Sequence, residues 1–389
     1  MRPMRILLVH NFYLQPGGED RVFSTEGALL EKKGHQVSRY TVHNRDTAKY
    51  GKTELLRNTL WNPRVYRDIR GIIKKERPEV IHFHNTFPLI SPSAYYAARK
   101  EHLPVIQTLH NYRLLCSSAI LYREGRTCEE CIGRKVPWPG VYYGCYKENM
   151  AFSAGVAAML TLHRSLGTWD RMVTSYIAMT EFARNKFIEG GLPAGKITVK
   201  PHFLDSDPGA GKGKGDYAIF VGRLSSEKGV ETLLNAWREL GNTLKLKIVG
   251  DGPLAPRIKQ VAQGNSNIEW LGSKSAREVY ALMRNATCLI FPSEWYETFG
   301  LVVIEALAHG TPVIASRIGG VAEIVEHAKT GLLFMPGDQR DLIRQIHWLK
   351  NNPQQVSKMR QEARLRFLAK YSAECGYERL IATYEDAIS

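Results

Sequence analysis

The chain lacks a long hydrophobic run, an excess of acid and several familiar cofactor signatures. No apolar stretch reaches the roughly 18 residues of a membrane helix, so a helical integral membrane protein is not expected. Met1-Arg2-Pro3-Met4-Arg5 runs straight into the short apolar segment Ile6–His10, and polar Asn11 follows. That segment is too short for a signal-peptide core. The expectation is a cytoplasmic protein, at most peripheral on the cytoplasmic face of the membrane. No G-x-G-x-x-G follows a strand, which disfavours a nicotinamide cofactor. The run Gly209–Gly215 holds glycine and lysine, but it lacks the spacing and the preceding strand of a phosphate loop. Asp205-Ser206-Asp207 has the aspartate spacing of some metal-using sugar transferases, yet it precedes a Gly-rich linker and reads as a turn. Basic residues form no run and no nucleic-acid motif is present, so nucleic acid is not an expected partner.

What is present is basic and uneven. The 389 residues carry 53 Lys and Arg against 38 Asp and Glu, a net charge of +15. Residues 1–205 hold 30 of the basic and 18 of the acidic residues, so most of the excess lies in the first half. Such an excess suits phosphates or an anionic membrane surface as well as plain solubility.

Strands and helices alternate along the chain. Arg5–His10 reads as a strand, with a loop ending Gln15-Pro16-Gly17-Gly18 and a helix from about Glu19 to Lys33. Strand, Gly-bearing loop and helix in that order open a doubly wound unit. Further strands are expected at 80–84 and 105–109. His10, His84 and His110 then stand at carboxyl ends of parallel strands, where open sheets bind ligands. Met150–Leu166 reads as a helix of small and apolar residues that suits packing or a membrane-facing edge, packing being the commoner case. Pro201–Gly215 is the clearest linker. A second series of strands begins at Tyr217–Val221.

Two features carry chemistry. Arg223 and Lys228 flank a loop between the strand Tyr217–Val221 and a helix, which directs two cations and bare amides at one anion. After the strand Thr287–Phe291, a helix is expected to open near Thr298 or Phe299 and to close at Gly310, with Glu297 before it and Glu305 inside it. Glu305 sits in an apolar run and needs partners to offset desolvation. Separately, Cys116, Cys128, Cys131 and Cys145 fall within thirty residues. In a cytosolic protein such a group suits a closed tetrahedral zinc; unliganded thiols, disulfides or an iron–sulfur cluster are the other readings.

Gly18, His110, Gly222-Arg223, Lys228, Gly250-Asp251-Gly252 and Glu297-x7-Glu305, in that order, resemble the retaining glycosyltransferases of family 4. The match is most specific over 217–335. The segment 116–145 is similar only to a subgroup with a four-cysteine insertion, and Asn111 stands where many members have Asp. The resemblance implies an α/β GT-B fold, with two doubly wound Rossmann-like domains facing a central cleft. Residues 1–205 and a C-terminal helix at about 373–389 would take a glycan or lipid-diphosphate acceptor. Residues 216–372 would take a nucleoside-diphosphate sugar, with 206–215 as linker. Arg223 and Lys228 would grip the diphosphate in place of a catalytic metal, assisted by Gly18, Gly222, Gly252, Ser273, Thr298, Phe299, Gly300 and Leu301. Glu305 would hold the ribose, and Glu297 and His110 the donor sugar. A GT-B hydrolase or epimerase, and a non-catalytic zinc-stapled adaptor on the membrane, are the competing readings.

Overall fold

Strands buried on both faces by crossover helices read as continuous apolar runs rather than alternating ones. Leu289–Phe291 and Val313–Ala315 are such runs, and each is fully or almost fully buried. A computed structural model describes residues 2–15 and 17–389; Met1 and Pro16 lie outside the described residues. The strands are β1 (Arg5–Phe12), β2 (Gln36–His43), β3 (Val80–Phe83), β4 (Val105–Thr108), β5 (Tyr122–Arg123), β6 (Arg126–Thr127), β7 (Ser175–Ala178), β8 (Ile197–Val199), β9 (Tyr217–Val221), β10 (Lys245–Val249), β11 (Ile268–Trp270), β12 (Cys288–Phe291), β13 (Val313–Ser316) and β14 (Gly331–Phe334).

The chain divides into two compact units. The first comprises Met1–Leu121, Cys128–Asp205 and Gly376–Ser389, and the second Tyr122–Thr127 and Ser206–Cys375. The first unit holds a six-stranded parallel sheet in the order β2-β1-β3-β4-β7-β8. From β1 the chain winds outward to β2, then returns to β3 on the other side, so the topological switch lies between β1 and β3. The helix Ala373–Ile388 is fastened to this unit by side chains. Tyr377 Oη lies 2.9 Å from His35 Nε2, and Tyr384 Oη 2.8 Å from His82 Nδ1.

The second unit repeats the plan, in the order β11-β10-β9-β12-β13-β14, with its switch between β9 and β12. Its core gathers Trp237, Leu233, Leu246, Ile290 and Phe334. Local signals agree with the topology. Asn62 caps the helix Pro63–Glu76 by accepting from the amides of Arg64 and Val65, with Pro63 in the first turn. Ser275 and Glu278 form a reciprocal capping box on Ala276–Asn285.

Several boundaries depart from the sequence reading. The helix expected from Thr298 or Phe299 begins at Leu301, after Gly300 at φ 106°. Residues 297–300 are held out of it because Gly320 N donates to the Glu297 carbonyl at 2.8 Å. Gly319 also presses on that segment: at φ +61°, a side chain there would stand 2.9 Å from Glu297 N. The C-terminal tail is three helices, Gln339–Asn351, Pro353–Lys370 and Ala373–Ile388, with one break at Tyr371-Ser372. Asn352-Pro353 adds the second break, since the residue before a proline is pushed out of the helical region. A helix at Lys52–Leu60 and the β5–β6 hairpin were not expected. No helix among the described residues is long and apolar enough to cross a membrane.

Candidate functional site

In the second unit the functional candidates sit at the switch point, beyond the carboxyl ends of β9 and β12. The loop after β9 is laced to that after β10: Gly222 N donates to Val249 O at 3.0 Å, and Leu224 N to Asp251 O at 2.9 Å. This approach requires glycine at 250, where φ is +137° and a Cβ would lie 1.9 Å from the Gly222 carbonyl oxygen. Gly252 belongs to the same loop, and Gly250 N donates in turn to Gly272 O at 2.9 Å, beside exposed Ser273.

Arg223 reaches Glu227 Oε1 at 2.6 Å, and Ser225 Oγ donates to the same oxygen at 2.7 Å. Burial works against ionisation of Glu227, but these two hydrogen bonds outweigh it and hold its carboxyl below the usual range. Arg223 Nε donates to Ser225 Oγ at 3.3 Å, and the side chain stays 59% exposed. Lys228 donates to Glu297 Oε1, which also accepts from Ser293 Oγ at 3.1 Å. The ammonium stands 5.1 Å over the Trp295 ring. Glu294 N donates to the Glu227 carbonyl at 2.9 Å, joining the two loops. Thr298 and Phe299 are buried, and Leu301 opens the helix in which Glu305 is 5% exposed with Tyr280 Oη 3.4 Å from its Oε1. Arg223, Lys228 and Glu297 thus form one charged cluster. Glu227, which completes it, gives no signal of its own in the sequence although it lies between the two cations.

In the first unit the His10, His84 and His110 rings come together at the switch between β1 and β3. His84 Nδ1 lies 3.0 Å from His110 Nε2, and His110 stacks on His202 at 5.3 Å between centroids. Burial pushes His84, His110 and His202 well below the ordinary histidine range, and His82 down to about 3. Beneath them lies an ion pair that the sequence did not disclose: Lys200 Nζ donates to Glu26 Oε1 at 2.6 Å, with both side chains buried. His84 Nε2 is 3.6 Å from Glu26 Oε2. Glu26, His82 and His84 are the one set of metal-type ligands among the described residues whose atoms all lie within 4.8 Å. The Lys200 ammonium already supplies the positive charge there.

Gly18 opens the helix Gly18–Lys32, and the residue after it is a second one that sequence reasoning passed over. Half-buried Glu19 accepts from Asn111 Nδ2 at 2.7 Å and from Tyr13 Oη at 2.9 Å. Burial raises its carboxyl to about 7 against those hydrogen bonds. Asn111 thus donates to a carboxylate that comes from another element. A carboxyl raised on folding favours the fold while protonated, and that contribution is lost as pH climbs from the ordinary range through about 7. Glu19→Gln should therefore stabilise the protein by about 1–3 kcal/mol more in mildly alkaline than in mildly acidic buffer. Paired urea titrations read this, and equal effects in both buffers would contradict it.

The four cysteines of the insertion are free thiols. Burial pushes Cys131 up to about 12, and Cys116, Cys145 and Cys128 add to the shift. The four lie near one another but are not a set within 4.8 Å. Tetrahedral zinc would need sulfurs about 3.8 Å apart, so closing such a site requires side-chain rotation.

Two doubly wound parallel sheets, each with its polar cluster at the switch point, define a protein of the GT-B class. The chain superposes on Anabaena HepE, crystallised with UDP, at TM-score 0.71 and 18% identity, covering 98% of this chain and all of that one. It superposes on sucrose-phosphate synthase of Thermosynechococcus elongatus at TM-score 0.72 and 18% identity, over 98% of each. Residues 16–208 match the model of Glycosyltransferase Family 4, and residues 205–366 that of Glycosyl transferases group 1. With the two models together spanning 16–366, the chain belongs to the family 4 and group 1 type of glycosyltransferases. It is 38% identical over 165 residues to an uncharacterised glycosyltransferase of Methanocaldococcus jannaschii, 41% of this chain and 46% of that one. It is 32% identical over 161 residues to the D-rhamnosyltransferase WbpZ of Pseudomonas aeruginosa, 40% of this chain and 42% of that one. These stretches are less than half of either relative. An uncharacterised protein of the Klebsiella pneumoniae cps region is 26% identical over 359 residues, 82% of this chain and 87% of that one.

Proposed function

We propose that the protein transfers a sugar from a nucleoside-diphosphate sugar to a glycan or lipid-diphosphate-linked acceptor, with retention of anomeric configuration, in polysaccharide assembly. The observation that carries this reading is the cluster of Arg223, Lys228 and Glu297 at the second switch point, beside the glycine loop at 222 and the helix N-terminus at Leu301. Arg223 and Lys228 would hold the diphosphate, and Glu227 and Glu297 would keep the two cations in place before the donor arrives. As the sugar–phosphate bond breaks, charge grows on the departing phosphate, so cations already fixed there favour the transition state over the ground state. Glu305 would accept from ribose hydroxyls, Glu297 from the donor sugar, and His110 would bond that sugar. The UDP complex of HepE, the cps-region relative and the rhamnosyltransferase support donor and pathway class. The basic first half suits a diphosphate acceptor.

With cations in the role of a metal, UDP or GDP should bind in calorimetry with EDTA present. Arg223→Ala should weaken that binding by at least tenfold; undiminished affinity would refute the assignment. Product analysis with and without acceptor separates transfer from hydrolysis or epimerisation.

We also propose that Cys116, Cys128, Cys131 and Cys145 hold one structural zinc. The support is four thiols converging on Cys131 in a segment rich in glycine, proline and aromatics. Elemental analysis of metal-replete protein should find about one equivalent. Metal-free, folded protein with all four thiols titratable would overturn it.

A further inference from the structure

The exposed apolar surface of this protein is concentrated. Among the described residues fourteen large apolar side chains are exposed, and eight of them lie between Val136 and Leu166; Leu56 and Trp61 add two more on and just after the helix Lys52–Leu60. An even spread would place about one in a stretch of that length. The three elements concerned pack on one another within the first unit: Lys52–Leu60 and Trp138–Tyr142 both lie against the helix Met150–Ser165.

That last helix explains the concentration. It has no charged residue before Arg164. One face is buried through Val156, Ala157, Met159 and Leu160, but the other leaves Met150, Phe152 and Leu162 in solvent. A helix on the surface of a water-soluble domain carries polar residues on its outer face, and one that is apolar all round is covered. The packing expected from sequence therefore accounts for only half of this helix. An apolar cavity of about 230 Å³ also opens beside it, lined by Leu55, Leu56, Ala151, Phe152 and Val156, with Lys52 and Lys147 among its walls.

The composition of the rim selects the occupant. Trp61, Trp138, Tyr142 and Tyr143 are exposed, and such amphipathic rings settle at the headgroup level of a bilayer. Lys52, Arg57, Arg134, Lys135 and Lys147 are exposed around them, against Glu54, Glu129, Glu130 and Glu148. A second copy of this chain docking by two-fold symmetry would bring together two faces of a half that carries 30 basic and 18 acidic residues over 1–205. An anionic lipid surface meets the apolar centre, the aromatic rim and the basic excess of residues 1–205.

We propose that this face docks the first unit on an anionic phospholipid membrane, with the aromatic side chains at headgroup depth and a lipid chain in the cavity beside the helix Met150–Ser165. The inference is independent of the transferase reading, since none of these residues belongs to either polar cluster.

Flotation of the full chain with vesicles of phosphatidylcholine, alone or mixed with phosphatidylglycerol, tests it. Binding is expected on the mixed vesicles and should weaken with added salt. The double variant Trp138→Glu, Leu162→Glu should bind at least tenfold more weakly, and Lys135→Gln about fivefold more weakly. Met335→Glu with Leu365→Glu removes exposed apolar side chains of the second unit and should change nothing. Circular dichroism melts establish that each variant is folded, and brominated lipid should quench tryptophan fluorescence in the wild type more than in Trp138→Phe. Absence of wild-type binding to either vesicle would overturn the proposal, as would binding that the Trp138 and Leu162 variant retains. A dimer in sedimentation equilibrium that the same variant dissolves, without vesicle binding, would assign the face to a second copy.

Discussion

Lys228→Ala should lower kcat by about two to three orders of magnitude, with a smaller change in the KM for donor. The size follows from position. Lys228 would serve charge that develops as the sugar leaves, and a fixed donor at such a point is worth about 10²–10³ in rate. Its ammonium is held by Glu297 and lies beside the Trp295 ring, so it needs little reorganisation when that charge appears. Arginine would not be a conservative replacement, because its planar fork cannot occupy the place of a compact ammonium between a carboxylate and an indole. Glu297→Ala should also slow transfer, and the double variant should lose less than the product of the two single losses, because the residues act as one unit. Lys228→Ala also removes a charged donor from buried Glu297 and leaves it the Ser293 hydroxyl, which should cost about 1–3 kcal/mol of stability. Rates must therefore be compared on protein shown to be folded. A loss below about fivefold in folded Lys228→Ala, far short of that range, would remove this residue from the mechanism.

Lys200→Met should destabilise the first unit by about 3–5 kcal/mol, because it strands the Glu26 carboxylate in a buried site. The carboxylate cannot turn to neighbouring histidines for a full charge, since burial holds His82 and His84 neutral. Changing both partners, Lys200→Met with Glu26→Gln, should recover most of the loss, because the cost lies in the unpaired charge and not in the missing attraction. Urea denaturation followed in the first-unit transition reads both results. A double variant as unstable as the single would show that the pair holds the fold for another reason, such as packing of the Lys200 stem on Phe203. The pair also matters to the candidate site. Glu26 adjoins His84, which is bonded to His110, so Lys200→Met is expected to impair any function that depends on the His110 ring.

The strands were legible because residues buried on both faces of a parallel sheet are mostly apolar in succession, and short bounded runs such as Leu289–Phe291 and Val313–Ala315 carry that mark. The loops at 222–229 and 293–300 were legible because they join strand carboxyl ends to helix N-termini, where glycine and cations have a common physical use. The start of the helix at Leu301 was not, because the backbone of Gly319 and Gly320, about twenty residues on, holds Glu297 through Gly300 out of the helix. The helix at Lys52–Leu60 was missed for a related reason. Much of its surface is exposed, so its sequence shows no clean apolar stripe.

From the chain alone came the two doubly wound units and the candidate anion-binding loops with Arg223 and Lys228, while the resemblance to family 4 singled out Glu297 and Glu305. These depend on local order and spacing, which sequence preserves. Tertiary structure alone decided which charges meet. It joined Lys200 to Glu26 across 174 positions, set Glu19 beside Asn111 across 92, and left the outer face of Met150–Ser165 uncovered. Pairing and exposure are properties of distance in space, and the spacing of residues along a chain does not encode that distance once it passes beyond a single helix or loop.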